Sequence, residues 1–388
     1  MRVPASPEDF GVYVHFPFCA SKCPYCDFNS HVADHDDEAY ADVILQELER
    51  RRADCPDRPA RTVFFGGGTP SRWAPRSVGR VLAGIEACFG LDPEVEITLE
   101  ANPGSVEQAR LADFAASGIN RFSIGCQSFD DHELAWLGRQ HSGDAAHRAV
   151  ESALATGARV SLDIMYGLPG QSEAAALRTA ELGAGLGVEH VAAYALVVEP
   201  QTVLAHRVAL KVVQPMADDD QAELYQLVTA RLEARGLARY EVSNYAQPGK
   251  ESLHNALYWL GARYLGLGAG AHGYLNGYRY ENLRSPTGYG RAVLQGDSME
   301  RDRRPLDALE ALKDRCTVAL RSRWGIEKEA FRNPCLPHGA EGRVREALSP
   351  IKAAGWIAES KHRWYPTEQG YAFSDACAVA LLGALDRG

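Results

Sequence analysis

Short apolar segments alternate with amphipathic segments along the first two thirds of the chain. The apolar segments are rich in β-branched and aromatic residues, and they predict six strands, at Gly11–Phe16, Thr62–Phe65, Val95–Leu99, Arg121–Ile124, Val160–Met165 and His190–Val198. Because these runs are mostly continuous rather than alternating, we expect strands that are buried on both faces.

Each predicted strand is followed by a segment whose apolar residues have helical spacing. The predicted helices are Asp37–Arg52, Ser77–Phe89, Ser105–Ala116, Asp130–Thr156, Ser172–Leu186 and Asp218–Arg235. Several of them begin at a Ser or Asp, residues that cap helix N-termini well. Six β-α units in succession predict an α/β fold, in which helices cover a parallel sheet.

The pattern changes after about residue 240. A strand and turn at Tyr240–Gly249 are followed by His254–Trp259 and by the glycine-rich segment Leu265–Gly273, and the tail is mostly helical with a short strand pair around Trp356 and Trp364. We therefore predict two domains, 1–245 with the parallel sheet and 246–388 as a smaller, mostly helical α+β domain.

Unusual polar and glycine-rich segments follow almost every predicted strand. They are His15–Cys26, Gly66–Pro70, Glu100–Pro103, Gly125–Ser128, Asp163–Gly170 and the region around Tyr194 and Glu199. Parallel α/β sheets place their chemistry at the carboxyl ends of the strands. The sequence therefore predicts a functional site at that edge of the sheet.

Three of the nine cysteines lie close together, at Cys19, Cys23 and Cys26, with C-x3-C-x2-C spacing. A closed structural zinc site takes four ligands, so three thiolates leave one coordination position open. A [4Fe-4S] cluster held by three cysteines has such an open iron. The alternative is a zinc site with His15 or His31 as the fourth ligand. Most of the remaining six cysteines are expected to be small apolar residues of helices or core.

Composition and charge limit the function classes. Hydrophobic residues make up 46% and charged residues 24%, as in globular proteins, and the formal net charge of −10 argues against nucleic-acid binding. It also argues against electrostatic attachment to anionic lipid, although transient docking to membrane-bound partners stays open. The first residues lack the apolar stretch of a signal peptide, so we expect a cytoplasmic protein.

Four motifs make the chain resemble a known family. They are Tyr13-Val-His-Phe-Pro-Phe-Cys, Cys-Pro-Tyr-Cys-Asp-Phe, Phe-Phe-Gly-Gly-Gly-Thr-Pro-Ser and Asp-Ile-Met-Tyr-Gly-Leu-Pro-Gly-Gln. They resemble the radical S-adenosylmethionine superfamily, and within it the oxygen-independent coproporphyrinogen oxidase family. The resemblance implies a partial (β/α)6 barrel, a [4Fe-4S] cluster on the three cysteines, and S-adenosylmethionine as cofactor. It also implies cofactor-site positions at Tyr13, Gly67, Gly68, Thr69, Glu100, Gln127, Arg139, Asp163 and Ala195.

Two departures separate the chain from the oxidases. The oxidases carry a fourth cysteine two residues after the third, where this chain has Phe28. They also have a long N-terminal arm, which we do not expect in this chain because its cysteine motif begins at residue 19. His254-Asn-Ala-Leu-Tyr-Trp259 resembles the H-N-x-x-Y-W signature of the sister family of heme chaperones. That resemblance implies heme binding by His254, Tyr258 and Trp259, with His272 and Cys126 as weaker candidates for the iron ligand. From the residues alone, the alternative is an amphipathic helix with core Tyr258 and Trp259.

The resemblance therefore implies a heme chaperone that delivers heme to apo-hemoproteins such as respiratory enzymes. The alternative function is decarboxylation of coproporphyrinogen III to protoporphyrinogen IX. No catalytic residue is assigned. An electron donor is implied as a partner, and a homodimer is left open.

Overall fold

The computed structural model describes residues 5–336 and 338–386. Its strands are β1 Phe10–Phe16, β2 Phe18–Cys19, β3 His31–Val32, β4 Ala60–Gly67, β5 Leu91–Ala101, β6 Arg121–Gln127, β7 Arg159–Tyr166, β8 His190–Ala195, β9 Ala238–Arg239, β10 Asn244–Ala246, β11 Arg263–Leu267, β12 His272–Leu275, β13 Tyr278–Asn282, β14 Glu300–Pro305, β15 Ile326–Glu327, β16 Ile357–Glu359 and β17 Arg363–Pro366. Its α-helices are α1 Asp37–Arg51, α2 Pro75–Phe89, α3 Ser105–Ala116, α4 Asp131–Trp136, α5 Gly143–Ala155, α6 Glu173–Gly185, α7 Val203–Ala209, α8 Asp218–Glu233, α9 Leu253–Leu260, α10 Pro286–Gln295, α11 Ala308–Ala319, α12 Ala340–Ala353 and α13 Ser374–Asp386. Short 3₁₀ helices cover Arg52–Asp54, Pro70–Arg72, Lys328–Arg332 and Gln369–Phe373.

The main sheet has twelve strands, in the order β14-β13-β12-β11-β1-β4-β5-β6-β7-β8-β10-β9. All six predicted strands are present and parallel, in chain order from β1 to β8. A further parallel strand, β11, pairs with β1, and this strand was not predicted because its segment is rich in glycine. The expected α/β fold with a mostly parallel sheet is confirmed.

Alternate residues of the parallel strands face opposite sides of the sheet. Val12, Val63 and Leu99 are fully buried in the hydrophobic core beneath the helices, and neighbouring helices pack in chain order: α1 on α2, α2 on α3, α3 on α5 and α6 on α8. The opposite face carries polar residues, among them Glu100, which pairs in register with Ser123. Burying the apolar face of each helix stabilises this arrangement and leaves the polar face for chemistry.

Helix α9 packs on the polar face, against β1 and β4. Its N-cap is Ser252, whose hydroxyl accepts a hydrogen bond from the backbone N–H of Asn255, and Gly261 in the left-handed conformation ends it. The ring of His254 stacks on that of Phe64 at 5.0 Å between centroids. Helix α9 therefore covers part of the polar face of the sheet, at β1 and β4.

The predicted helix Asp130–Thr156 is wrong as a single element. The chain forms α4 and α5 with a break at residues 137–142, and each helix has its own N-cap: Asp130 accepts from the N–H groups of His132 and Glu133, and Ser142 accepts from that of Ala145. Gly138 in the break has a φ of 71°, which favours glycine. The break contains Arg139, a predicted site residue.

The sheet continues past the expected domain boundary at residues 245 and 246. Strands β11 to β14 belong to the main sheet, whereas a second hydrophobic core, from Leu312 to Leu385, holds α11, α12 and α13 together. The predicted strand pair near Trp356 and Trp364 is present as antiparallel β16 and β17. The two-domain division stays a prediction.

In the part of the chain that the structure describes, no helix combines the length and the apolarity needed to cross a bilayer.

Candidate cofactor and cargo site

A cavity of about 280 Å³ opens at the carboxyl ends of the parallel strands, and we refer to it as cavity I. Most of the predicted site residues line it: Cys19, Cys23, Cys26, Gly67, Gly68, Thr69, Glu100, Gln127, Arg139 and Asp163. They lie on β2, β4, β5, β6 and β7, in the segments after β2 and β4, and in the break between α4 and α5. The structure thus brings together residues that lie up to 144 positions apart in the sequence.

Cys19 at the end of β2 and Cys23 and Cys26 in the loop that follows line cavity I as free thiols. The Thr69 hydroxyl donates to Sγ of Cys19 at 3.4 Å, and Nη1 of Arg139 donates to Sγ of Cys23 at 3.7 Å. Burial raises the pKa of the Cys19 and Cys26 thiols. Thiolates at this position therefore need a bound cation, and three of them on one cavity suit an iron-sulfur cluster.

The histidines proposed for a zinc site are engaged elsewhere. The two ring nitrogens of His15 lie 2.9 Å from the Tyr13 hydroxyl and 2.9 Å from the carbonyl oxygen of Asn29. Nε2 of His31 lies 3.3 Å from both Oδ1 of Asn29 and the carbonyl oxygen of Arg284. Among the side chains that the structure describes, no three His, Cys, Asp or Glu groups converge on the position of a single metal ion. To bind zinc, His15 or His31 would have to give up these contacts.

Two carboxyl groups, those of Glu100 and Asp163, line cavity I. Oε2 of Glu100 accepts the N–H of Gly67 at 3.1 Å, and Oδ1 of Asp163 accepts the Ser123 hydroxyl at 3.0 Å. Burial, and then the charge of Asp163, raise the pKa of Glu100 to about 8. Burial raises the pKa of Asp163 to about 6. Such carboxyls are suited to accept hydrogen bonds from hydroxyl or ammonium groups of a ligand.

This pair predicts a pH dependence of stability. Because the pKa of Glu100 is about 8 in the folded chain and 4.5 ordinarily, the folded state holds the proton more tightly. The proton on Glu100 therefore contributes to the free energy of unfolding. This contribution is complete at low pH and is lost as the pH rises from about 4.5 to about 8. We expect Glu100→Gln to raise the melting temperature of the ligand-free protein by roughly 2–5 °C near pH 8, and by less near pH 5.5. Thermal unfolding at both pH values measures this, with the exposed Glu86→Gln as the control.

Equal effects of Glu100→Gln at the two pH values would contradict the raised pKa of Glu100.

Arg139 lies at the centre of the polar contacts of cavity I. Its Nη2 donates to Oδ1 of Asn102 and, at 2.9 Å, to the carbonyl oxygen of Gly125. Its Nε is buried and has no hydrogen-bond partner among the described residues. An orphaned donor beside the thiols is suited to an anionic group, such as the carboxylate of an amino acid.

Gln127 is placed by an irregularity in β6. The pairing of β6 with β7 shifts register between Gly125 and Gln127, and Gln127 has a φ of 67°, which is rare for a residue other than glycine. Bulges and left-handed residues of this kind redirect side chains at functional sites. Here the bulge turns Gln127 toward cavity I.

The glycines after β4 permit a close approach of backbone segments. A Cβ on Gly67 would lie 2.5 Å from the His15 ring, and a Cβ on Gly68 would lie 2.9 Å from the carbonyl oxygen of Phe18. Thr69 is 4% exposed. Gly67, Gly68 and Thr69 line cavity I, and the absence of a Cβ on the two glycines lets the backbone of this turn lie close to β1 and β2.

A second cavity, cavity II, has a volume of about 380 Å³ and adjoins cavity I. Its lining shares Phe28, Gly67 and Glu100 with cavity I. The other residues that line it are Tyr13, His15, Asp27, Asn29, Tyr258, Tyr264, Gly270, His272 and Arg284. Four aromatic side chains make cavity II suitable for a flat apolar ligand.

The structure places two predicted cofactor residues outside cavity I. Tyr13 lines cavity II, with its hydroxyl 2.9 Å from Nδ1 of His15. Ala195 ends β8 beside Tyr194, and it is Tyr194 that lines cavity I. Asn102, which holds Arg139, was not singled out from the sequence. It stands in the predicted segment Glu100–Pro103, so its position after a strand was the available signal.

The three predicted heme residues all lie on α9, but only Tyr258 lines cavity II. Nδ1 of His254 lies 2.7 Å from the Thr62 hydroxyl and Nε2 lies 2.8 Å from the Tyr258 hydroxyl. Burial lowers the pKa of His254 to about 3. Tyr258 lines cavity II, whereas Trp259 lies in neither cavity and its Nε1 has no hydrogen-bond partner among the described residues.

Cys126 and His272, the weaker candidates, differ in exposure. Cys126 is fully buried and its Sγ lies 3.9 Å from the carbonyl oxygen of Ala146. His272 lines cavity II with a side chain that is 62% exposed. Of these two, only His272 faces a space that a ligand could enter.

Comparison with known proteins gives a consistent family assignment. Residues 13–183 match the family described as the radical SAM superfamily. A protein of Mycobacterium tuberculosis (strain H37Rv) named "Heme chaperone HemW" is 36% identical over 98% of this chain and 96% of its own length. Its namesake from Escherichia coli K12 is 36% identical over 96% of this chain and 97% of its own length. A Bos taurus protein, "Radical S-adenosyl methionine domain-containing protein 1, mitochondrial", is 38% identical over 96% of this chain and 87% of its own length.

Among solved structures, the coproporphyrinogen III oxidase HemN from Escherichia coli aligns with a TM-score of 0.81. The alignment covers 97% of this chain and 91% of the oxidase, at 20% sequence identity. At this identity the likeness shows that the two chains share a fold.

Proposed function

The chain belongs to the heme chaperone HemW family of radical SAM proteins, and from this premise we propose that it binds heme as cargo and delivers it to apo-hemoproteins such as respiratory enzymes. The main support for this proposal is that the two cavities adjoin each other. A cysteine-lined cavity and an aromatic cavity share one wall, formed by Phe28, Gly67 and Glu100. A cargo porphyrin in cavity II would therefore lie beside the cofactor site.

Cavity I fits the cofactors that the radical SAM family implies. Cys19, Cys23 and Cys26 are proposed to hold a [4Fe-4S] cluster, whose open iron binds S-adenosylmethionine and supplies one electron to it. Arg139, with its free Nε donor, is proposed to bind the carboxylate of the methionine moiety. The backbone of Gly67, Gly68 and Thr69 is proposed to meet its amino group.

The remaining cofactor residues have roles suited to their chemistry. The carboxyl groups of Glu100 and Asp163 are proposed to accept hydrogen bonds from the cofactor, and the side chain of Gln127 is proposed to complete the polar wall. Ala195 is proposed to face the adenosine, at the end of β8. Tyr13 is proposed to close the wall toward cavity II, where its hydroxyl contacts His15.

We propose that the motif His254–Trp259 on α9 contacts a ligand in cavity II through Tyr258. The Tyr258 ring lines the cavity, and the hydrogen bond between its hydroxyl and Nε2 of His254 holds it in place. His254 and Trp259 are proposed to support that surface, since His254 is 2% exposed and both of its nitrogens are engaged. Direct ligation of heme iron by His254 requires these hydrogen bonds to break.

Delivery implies partners that the chain itself does not identify. We propose an electron donor for the cluster and recipients among the apo-hemoproteins of the respiratory chain. The net charge of −10 makes docking through a recipient protein more favourable than binding to anionic lipid. A homodimer and a cytoplasmic location stay predictions.

The proposal is tested by two assays on anaerobically reconstituted protein. We expect stoichiometric heme uptake, measured as a saturating change in the Soret band, and no release of carbon dioxide from coproporphyrinogen III in the presence of S-adenosylmethionine and reductant. Carbon dioxide release coupled to protoporphyrinogen IX formation would contradict the chaperone function and establish the oxidase instead.

A further inference from the structure

Cavity II contains one imidazole that is free to bind a ligand. Of the two histidines that line it, His15 has both ring nitrogens within 2.9 Å of a hydrogen-bonding group. The ring of His272 makes no hydrogen bond to the residues that the structure describes, and its nearest charged partner, Oε1 of Glu281, lies 3.9 Å from Nε2. Strand β12 therefore presents an imidazole with an available nitrogen to this cavity.

The walls next to His272 are flat and apolar. Phe28 is 61% exposed, although large apolar side chains are usually buried, and it lies between the two cavities. On the other side, the rings of Tyr258 and Tyr264 meet edge to face at 4.8 Å between centroids. These surfaces are suited to the faces and edge of a porphyrin.

A cationic side chain completes the cavity at its rim. Nε of Arg284 donates to Oε1 of Glu281 at 2.6 Å, which fixes the guanidinium next to His272. The terminal nitrogens of Arg284 make no hydrogen bond to the described residues, and its side chain is 59% exposed. A fixed guanidinium with free terminal nitrogens is suited to a carboxylate.

We propose that cavity II is where the cargo heme docks, with His272 as an axial ligand of the heme iron and Arg284 as the partner of a heme propionate. This inference rests on the proposed function and specifies its cargo site. Phe28 and Tyr258 contact the porphyrin, and His254 acts below them as a positioning residue for Tyr258. An imidazole and a guanidinium beside an apolar wall match the three chemical parts of heme: iron, propionates and ring.

The first test compares His272→Ala with His147→Ala, a histidine that is exposed on α5. We expect His272→Ala to weaken heme binding at least about tenfold and to shift the Soret band, because the iron loses a nitrogen ligand. Added imidazole should restore the band position, which a purely structural defect does not allow. His147→Ala should match the wild type.

The second test separates the propionate contact from the iron ligand. Arg284→Gln should weaken the binding of heme but not that of heme dimethyl ester, in which both propionates are blocked. Arg301→Gln is the matched control, because Arg301 also pairs with Glu281 but does not line cavity II. Equal losses for heme and its dimethyl ester would contradict the role of Arg284.

The outcomes distinguish this inference from the proposed function. If the wild type binds heme and His272→Ala keeps the wild-type Soret band and affinity, the docking site is wrong while the chaperone function stands. The same conclusion follows if the band shifts only in His254→Ala and imidazole restores it there. If the wild type binds no heme, the chaperone function and this site are both wrong.

Discussion

Replacing Cys26 by alanine is expected to abolish the iron-sulfur cluster. The three thiols of the C-x3-C-x2-C loop are the cysteines that line cavity I, so two thiolates would remain for a cluster that requires three protein ligands. We expect the visible absorbance and the acid-labile sulfide of the reconstituted protein to fall close to zero. Cys19→Ala and Cys23→Ala should behave in the same way.

The matched control for this experiment is Cys335→Ala. Cys335 is an exposed free thiol that does not line cavity I, and its loss should leave iron and sulfide unchanged. A cluster that persists in Cys26→Ala would contradict the proposed ligand set. One zinc ion per chain and no acid-labile sulfide in the wild type would contradict the cluster itself.

Replacing Arg139 by methionine is expected to give the largest loss of S-adenosylmethionine affinity. Methionine keeps much of the length and apolar volume of the side chain but removes the buried Nε donor and the charge. Since a hydrogen bond to a charged group contributes about 1.5–3 kcal/mol, the dissociation constant should rise about 10- to 100-fold. Equilibrium dialysis or calorimetry with the reconstituted protein measures this change.

Arg148→Met serves as the control for Arg139→Met, because Arg148 is exposed on α5. The cluster content of both variants should be measured first, since Nη1 of Arg139 also contacts Sγ of Cys23. Unchanged affinity in Arg139→Met with an intact cluster would show that another group binds the carboxylate of the cofactor.

The sequence predicted the six parallel strands and the edge at which the site lies, because both depend on local patterns. Continuous apolar runs such as Val160–Met165 mark buried strands wherever they occur. It did not predict β11, which pairs with β1 across about 250 positions. Gly266 interrupts the short apolar run of β11, and the segment that continues from it to Gly273 is rich in glycine, so the pairing with β1 identifies this strand better than its local pattern does.

The error at residues 130–156 had direct consequences for the site. Both N-cap residues, Asp130 and Ser142, were visible in the sequence, but the apolar spacing continues across the break. The break places Arg139 against Asn102 and Gly125 instead of on a helix surface. An irregular segment at a functional site is where local patterns are expected to fail.

Cavity II could not be predicted because its residues meet only in the folded chain. Phe28 follows β2, Tyr258 is on α9, and His272 and Arg284 lie at the two ends of a hairpin segment. The motif on α9 directed attention to His254, whose burial and hydrogen bonds the sequence does not reveal. Whether an imidazole nitrogen is free to bind iron depends on contacts that form only in the folded chain.

Transfer of heme from this chain to an apo-hemoprotein can be followed directly. The reconstituted, heme-loaded protein should be mixed with the apo-form of a heme-dependent respiratory enzyme, and the activity of that enzyme measured against time. We expect the activity to return while the Soret band of the donor chain declines at the same rate. Heme that stays on the chain, or activity that returns no faster than with the same concentration of free heme, would contradict the proposed chaperone function.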